Sequence, residues 1–167
     1  MKNVILGFLI SLVFLGCTSK EASDQPVDPK LVIEKNVADM KLNDQHDTPH
    51  TVPSETKTLI FAFSKEVGHT CNDFFATKDA TYLNDNNAIF IADVSAAPSV
   101  IRSMFIMPGL KDFQHTVLVI DDETVSNEYK SGQESEKIVI VSLQDKTITA
   151  IESVNTTEEL ASKIENN

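Results

Sequence analysis

Chemistry in this sequence turns on Cys71. It closes the run Lys65-Glu66-Val67-Gly68-His69-Thr70-Cys71, which places an imidazole two residues before the thiol and a hydroxyl next to it. A cysteine attacks only as thiolate, and a nearby cation or a helix N-terminus is what lowers its pKa. Cys71 is therefore the candidate nucleophile, with His69 and Thr70 as its candidate catalytic companions. Cys71, His69 and His115 also form a set of borderline-to-soft donors for copper or zinc. His46 and His50 fall in a polar stretch and read as solvated turn residues. Only one other cysteine exists, Cys17, and a dithiol cycle needs two sulfurs within bonding distance.

Other chemistries have less support. There is no Ser-His-Asp set, phosphate loop or paired-carboxylate motif, and no G-x-G-x-x-G fingerprint for a flavin or dinucleotide. No cofactor is expected. Glu123, Glu128, Glu134 and Glu136 lack the spacing of a calcium loop and read as a solvated face in a loop-rich segment.

The composition bounds the class. With 41% hydrophobic and 23% charged residues in 167, the chain suits one globular domain. Fourteen Lys and Arg against 25 Asp and Glu give a net charge of −11, and Arg102 is the only arginine. Nucleic acid needs a cationic face, so it is not an expected partner, and an anionic lipid surface is disfavoured for the same reason. Two cysteines exclude a disulfide-rich scaffold.

The first residues read as an address. Lys2 precedes the apolar stretch Val4–Leu15, too short for a comfortable membrane span and right for a signal-peptide core. It ends in Leu15-Gly16-Cys17, which resembles the lipobox of bacterial lipoproteins, with Phe14 where Leu is usual. The resemblance implies a signal peptide over 1–16, cleavage before Cys17, and acylation of Cys17 with diacylglycerol and an amide-linked palmitate-type chain. Several acyl chains anchor stably in a lipid bilayer. Thr18, in place of the Asp that often retains lipoproteins at the inner membrane, favours the periplasmic side of the outer membrane. The polar, proline-bearing run after Cys17 reads as a tether, so residues 17–36 form the lipidated start and tether and residues 37–167 the folded domain.

The elements that must position Cys71 alternate. Val37–Leu42, a polar turn and Thr51-Val52 read as a hairpin. Thr58–Ser64, Ala88–Val94 and Thr116–Ile120 are apolar runs without polar alternation, as in strands buried on both faces. Gly68–Leu83 predicts a helix interrupted near Thr77, and Ser95–Phe105 a second helix broken by Pro108-Gly109. Ile101, Met104, Phe105, Ile106 and Met107 read as core packing in preference to a partner-binding lip. Lys137–Leu143 and Lys146–Ile151 predict a hairpin, and Thr156 or Thr157 caps a last helix.

This order resembles the thioredoxin-like superfamily, in its peroxiredoxin and thiol-disulfide lipoprotein branch. The opening L-x-D-Q-x-G-x-x-x-x-L pattern corresponds to Leu42-Asn43-Asp44-Gln45-His46-Asp47, with Asp47 near the usual Gly; the V-S-x-D-x-P end of the next strand corresponds to Val94-Ser95-Ala96-Ala97-Pro98, and a later D-x-x-G-x-V-x-x-x-Y pattern corresponds loosely to Asp121-Asp122-Glu123-Thr124-Val125 and Tyr129. The resemblance covers Val37 to Ile164. It implies an α/β thioredoxin-like fold: a central mixed β-sheet flanked by helices, with an N-terminal β-hairpin.

The resemblance also implies a reactive thiol at the first turn of the helix after the central strand. Laid on C-x-x-C, Gly68 takes the nucleophile's place and Cys71 the second. Laid on the peroxiredoxin pattern P-x-x-x-T-x-x-C, Cys71 matches the peroxidatic cysteine, with Ser64 for Pro and Gly68 for Thr. Glu136 and Lys137 stand where the cis-proline is usual, and Arg102 falls on the wrong helix to clamp a peroxide. The expectation is a redox-degenerate domain with a non-catalytic binding role toward a periplasmic protein. The alternatives are a single-cysteine thiol peroxidase or oxidoreductase using Cys71, and copper or zinc binding by Cys71 with His69.

Overall fold

The computed structural model describes residues 27–166. The expected signal peptide over 1–16, Cys17 and the first part of the expected tether lie outside the described residues. Strands β1 (Lys41–Asp44) and β2 (Pro49–Thr51) are followed by β3 (Thr58–Ala62), helix α1 (Lys65–Ala76), the short α2 (Tyr82–Asp85) and β4 (Ala88–Asp93). A composite helical segment comes next: α3 (Ser99–Ile101), a π-helical turn (Arg102–Ile106) and α4 (Met107–Lys111). Then come β5 (Val117–Ile120), α5 (Glu123–Lys130), the hairpin β6 (Ile138–Gln144) and β7 (Thr147–Val154), and α6 (Thr157–Glu165).

The seven strands form one sheet in the order β2-β1-β5-β4-β3-β6-β7. β3, β4 and β5 are parallel, and the other pairings are antiparallel. The sheet is thus mixed, with a hairpin at each end. β3 sits near its centre and is buried at all five positions, which is what an unalternating TLIFA run requires.

Side-chain alternation along β3 divides the core in two. Leu59 and Phe61 face a cluster with Leu118, Ile120, Tyr129, Val139 and Val141, in which the Phe61 ring stacks on Phe63 and Tyr129 at centroid distances of 5.3 and 5.8 Å. Ile60 and Ala62 face a second cluster, where Val67, Cys71 and Phe75 of α1 meet Leu160 and Ile164 of α6. The 67, 71, 75 spacing puts one stripe of α1 on the sheet.

Five local expectations change. The helix after β3 begins at Lys65, three residues before Gly68, because the Ser64 hydroxyl caps it. The first strand runs Lys41–Asp44, while Val37 and Met40 are buried as part of the covering of one sheet face. The packed chain also reaches upstream of Val37: Leu31 is in the core, Lys30 N–H donates to the Glu128 carbonyl, and Asn36 bridges to Thr147. Pro108 does not end its helix. The wide turn before it, with Met107 N–H donating to the Arg102 carbonyl five residues back, accommodates a residue that lacks an N–H and crowds the preceding turn. Finally, the acidic stretch after β5 forms α5, capped by the Asp122 carboxylate, which accepts from Thr124 N and Val125 N. Its inward side is made by Ser126 and Tyr129.

Candidate functional site

In this architecture the place for a reactive group is the start of α1, at the carboxyl end of β3. Four peptide N–H groups there have no partner within the helix, and the helix dipole adds positive potential. Ser64 occupies the cap position with extended backbone (φ −124°, ψ 160°), and its Oγ accepts from Val67 N–H at 3.4 Å. Lys65 and Glu66 follow as exposed residues, and Glu66 suits the positive end of the helix. The first turn therefore carries a hydroxyl, an ammonium and a carboxylate, and no sulfur.

Cys71 lies in the second turn, on the stripe that faces the sheet. It is fully buried among Val67, Phe75 and the β3 and β4 side chains of its cluster. Burial pushes the thiol pKa up to about 12, since the apolar surroundings penalise the thiolate. It is a free thiol. In this register Cys71 is not at the first turn, where the resemblance placed a reactive thiol. The thiol pKa departs upward, away from the depression a nucleophile needs.

Its candidate companions point elsewhere. His69 and Thr70 are exposed, and the Thr70 hydroxyl donates to the Glu66 carbonyl at 3.0 Å within the helix. His115 is buried, and its Nε2–H donates to the Phe75 carbonyl at 2.7 Å, which completes the carbonyl end of α1. Its ring packs edge-on to Phe75 with centroids 5.9 Å apart. Among the described residues no three His, Cys, Asp or Glu side chains converge to hold a metal ion, so Cys71, His69 and His115 are not brought together as a ligand set.

The other positions that the resemblance singled out are also placed. The Arg102 guanidinium donates to the Ser95 and Ala97 carbonyls at 2.8 and 3.0 Å, tying the π-helical turn to the end of β4. Glu136 and Lys137 precede β6, Lys137 pairs with Glu134, and no peptide bond is cis among the described residues. The L-x-D-Q pattern has a structural use. Asp44 Oδ1 accepts from His46 N and Thr48 N, and its Oδ2 meets His50 Nε2 at 2.8 Å, closing the first hairpin. Gln45 is buried and bridges the edge of β5: its Nε2 donates to the His115 carbonyl at 2.7 Å and its Oε1 accepts from Val117 N at 2.9 Å.

Two shallow cavities of about 220 and 230 Å³ flank the hairpin end of the sheet. One is lined by Lys41, Asp44, Asp47, Asp121 and Asp122, the other by His50, Leu83, Asn84, Gln114 and His115. Neither is lined by Cys71 or His69. The sequence reading missed two features. Ser64 is the capping residue, legible as a Ser at the end of an apolar strand. Val100, Ile101, Met104 and Phe105 are exposed and not in the core.

These observations define a thioredoxin-like fold: a mixed sheet with parallel central strands, helices on both faces and an N-terminal hairpin added beyond β5. The chain is similar to the solution structure of a candidate protein disulfide isomerase from Bacteroides thetaiotaomicron, at 13% identity and TM-score 0.54, over 85% of this chain and 91% of that one. It is also similar to a candidate thioredoxin from Neisseria meningitidis, at 14% identity and TM-score 0.50, over 76% and 85%. No protein-family model matches the sequence, and no curated protein matches it. At these identities the likeness carries the fold, while the chemistry rests on this chain's own residues.

Proposed function

We propose that this protein is an envelope-anchored lipoprotein, acylated at Cys17 and held on the periplasmic side of the outer membrane, whose thioredoxin-like domain binds a periplasmic protein without redox turnover. The observation that carries the non-catalytic reading is the burial of Cys71 in the sheet-facing stripe of α1, with its pKa pushed up to about 12. The helix start that would activate a thiol holds Ser64, Lys65 and Glu66. With Cys17 acylated, no second sulfur remains for a disulfide. The anchoring reading is supported by the Val4–Leu15 apolar core and the Leu15-Gly16-Cys17 pattern.

Three measurements test this reading. Labelled palmitate is expected to enter the full chain and to be lost in Cys17→Ala; no incorporation ends the anchoring reading. The native protein is then treated with hydrogen peroxide and, separately, with an alkylating agent. Cys71 is expected to stay unmodified until the fold is opened by denaturant. Sulfenic acid at Cys71 under native conditions would replace the binding reading with the single-cysteine peroxidase or oxidoreductase. Stoichiometric copper or zinc retention, lost in both Cys71→Ser and His69→Ala, would replace it with the metal-binding reading.

A further inference from the structure

The helical segment between β4 and β5 presents an apolar surface to solvent. Val100, Ile101, Met104 and Phe105 are 61, 43, 63 and 64% exposed. Their i, i+1, i+4, i+5 spacing puts them on one side of a helix. Within Ser99–Met107 the only charged residue is Arg102, and its guanidinium is turned back onto the Ser95 and Ala97 carbonyls. The lip is therefore apolar and carries no free charge of its own, on a chain whose net charge is −11. Single exposed apolar residues are ordinary, but a contiguous group of four large ones marks a contact surface.

The length of chain before the fold indicates what this surface meets. The packed part starts at Asp28, whose carboxylate pairs with Lys35, beside Lys30, which bonds to the Glu128 carbonyl. Asp28 lies eleven positions after Cys17, and a fully extended chain over eleven steps spans at most about 36–40 Å. A domain of this size is roughly 35–40 Å across. The link to an acylated Cys17 would thus be no longer than the domain is wide. It would hold every part of the surface within reach of the bilayer at high effective concentration.

We infer that the Val100–Phe105 lip rests in the interface of the bilayer that carries the acyl anchor, and that the occupant of this surface is zwitterionic lipid. The inference rests on the anchoring part of the proposed function. A helix lying in the interface with apolar side chains inserted is a standard mode of peripheral contact. The absence of free positive charge on the lip, with the net negative charge of the domain, selects zwitterionic over anionic lipid.

The chain has no tryptophan, so Phe105→Trp, at an exposed position, gives a single reporter. The acylated full chain carrying this change is placed in phosphatidylethanolamine–phosphatidylcholine vesicles, with and without bromine on the acyl chains. The expected result is a blue-shifted emission that bromolipid quenches. Adding Met104→Ser and Ile101→Ser is expected to weaken that quenching, each by about tenfold in the lip's partitioning. Acylated protein whose tryptophan stays water-like and unquenched overturns the inference and leaves the anchoring reading intact. A blue shift that needs a second protein and is insensitive to bromolipid also overturns it, in favour of a protein partner. If palmitate is not incorporated, the anchoring reading fails. The inference, which rests on that reading, is then overturned with it.

Discussion

The Ser64 hydroxyl accepts from the Val67 N–H at 3.4 Å, so the first turn of α1 is closed by an oxygen at the place where this fold can activate a sulfur. Cys71 is seven residues further on, under the helix rather than at its end. The separation of cap from thiol decides how the two positions behave.

A thiol moved to the cap should react where the native one does not. Ser64→Cys places sulfur beside unpaired N–H groups at the positive end of α1. Its pKa should fall below the free value, and its alkylation at pH 7 should run about tenfold faster than that of an unperturbed, equally accessible cysteine. Cys71 in the same molecule should remain protected. Stopped alkylation with peptide mass mapping reads both sites, and equal rates would show that the helix start does not activate a thiol.

Burial of Cys71 also links to alkaline stability. Its folded pKa, near 12, lies above the ordinary value of 9.0. Between those limits the unfolded chain loses a proton that the folded chain keeps. Stability from this group is therefore full below about pH 9 and falls as pH rises, by about 1.4 kcal/mol per pH unit at most. Tyr82 and Tyr129 are also shifted upward by burial and add to the decline. The difference between the native chain and Cys71→Ala isolates the thiol. Urea unfolding at pH 8–11 should show the native chain losing stability faster than the alanine variant.

Gln45 should be costly to replace by an apolar side chain. Gln45→Leu removes the partners of the His115 carbonyl and the Val117 N–H at the edge of β5. Leaving two buried backbone groups unpaired costs on the order of 2–5 kcal/mol. A lower urea midpoint with an unchanged slope would register this. A shift under 1 kcal/mol would mean that water replaces the amide.

Asp44 predicts an acid-side dependence. Burial raises its pKa, but the Thr48 N–H, the His50 side chain and the His46 N–H together outweigh this and hold it below its ordinary value of 3.8. Its stabilising contribution is therefore present above about pH 4 and is lost as pH falls through the depressed value. Asp44→Asn should cost about 1–3 kcal/mol at pH 6 and progressively less toward pH 3. Parallel urea titrations of the two chains at several pH values measure the convergence.

Much of the fold was legible in the residues. Three apolar runs without alternation specified the buried central strands, because a strand covered on both faces has no side that needs polar groups. The Lys137–Ile151 hairpin and the Thr156–Glu159 capping box were equally local signals. Helix α5 was not read because its apolar stripe is short. The covering of the sheet by Leu31, Val37 and Met40 was missed because that stretch packs without regular structure.

For the site, the residue types alone set the inventory. They left one cysteine within the folded region, with a histidine and a threonine near it and no second thiol. Tertiary structure decided the register. Starting α1 at Ser64 puts Val67, Cys71 and Phe75 on the sheet and His69 and Thr70 in water, because a helix turns about 100° per residue. A difference of three residues in the helix start separates a thiol at the dipole end from one inside the core. The same kind of decision left Val100, Ile101, Met104 and Phe105 outside. Their spacing suits a buried helix face, and only the packing of the surrounding elements shows that no part of the described domain covers them.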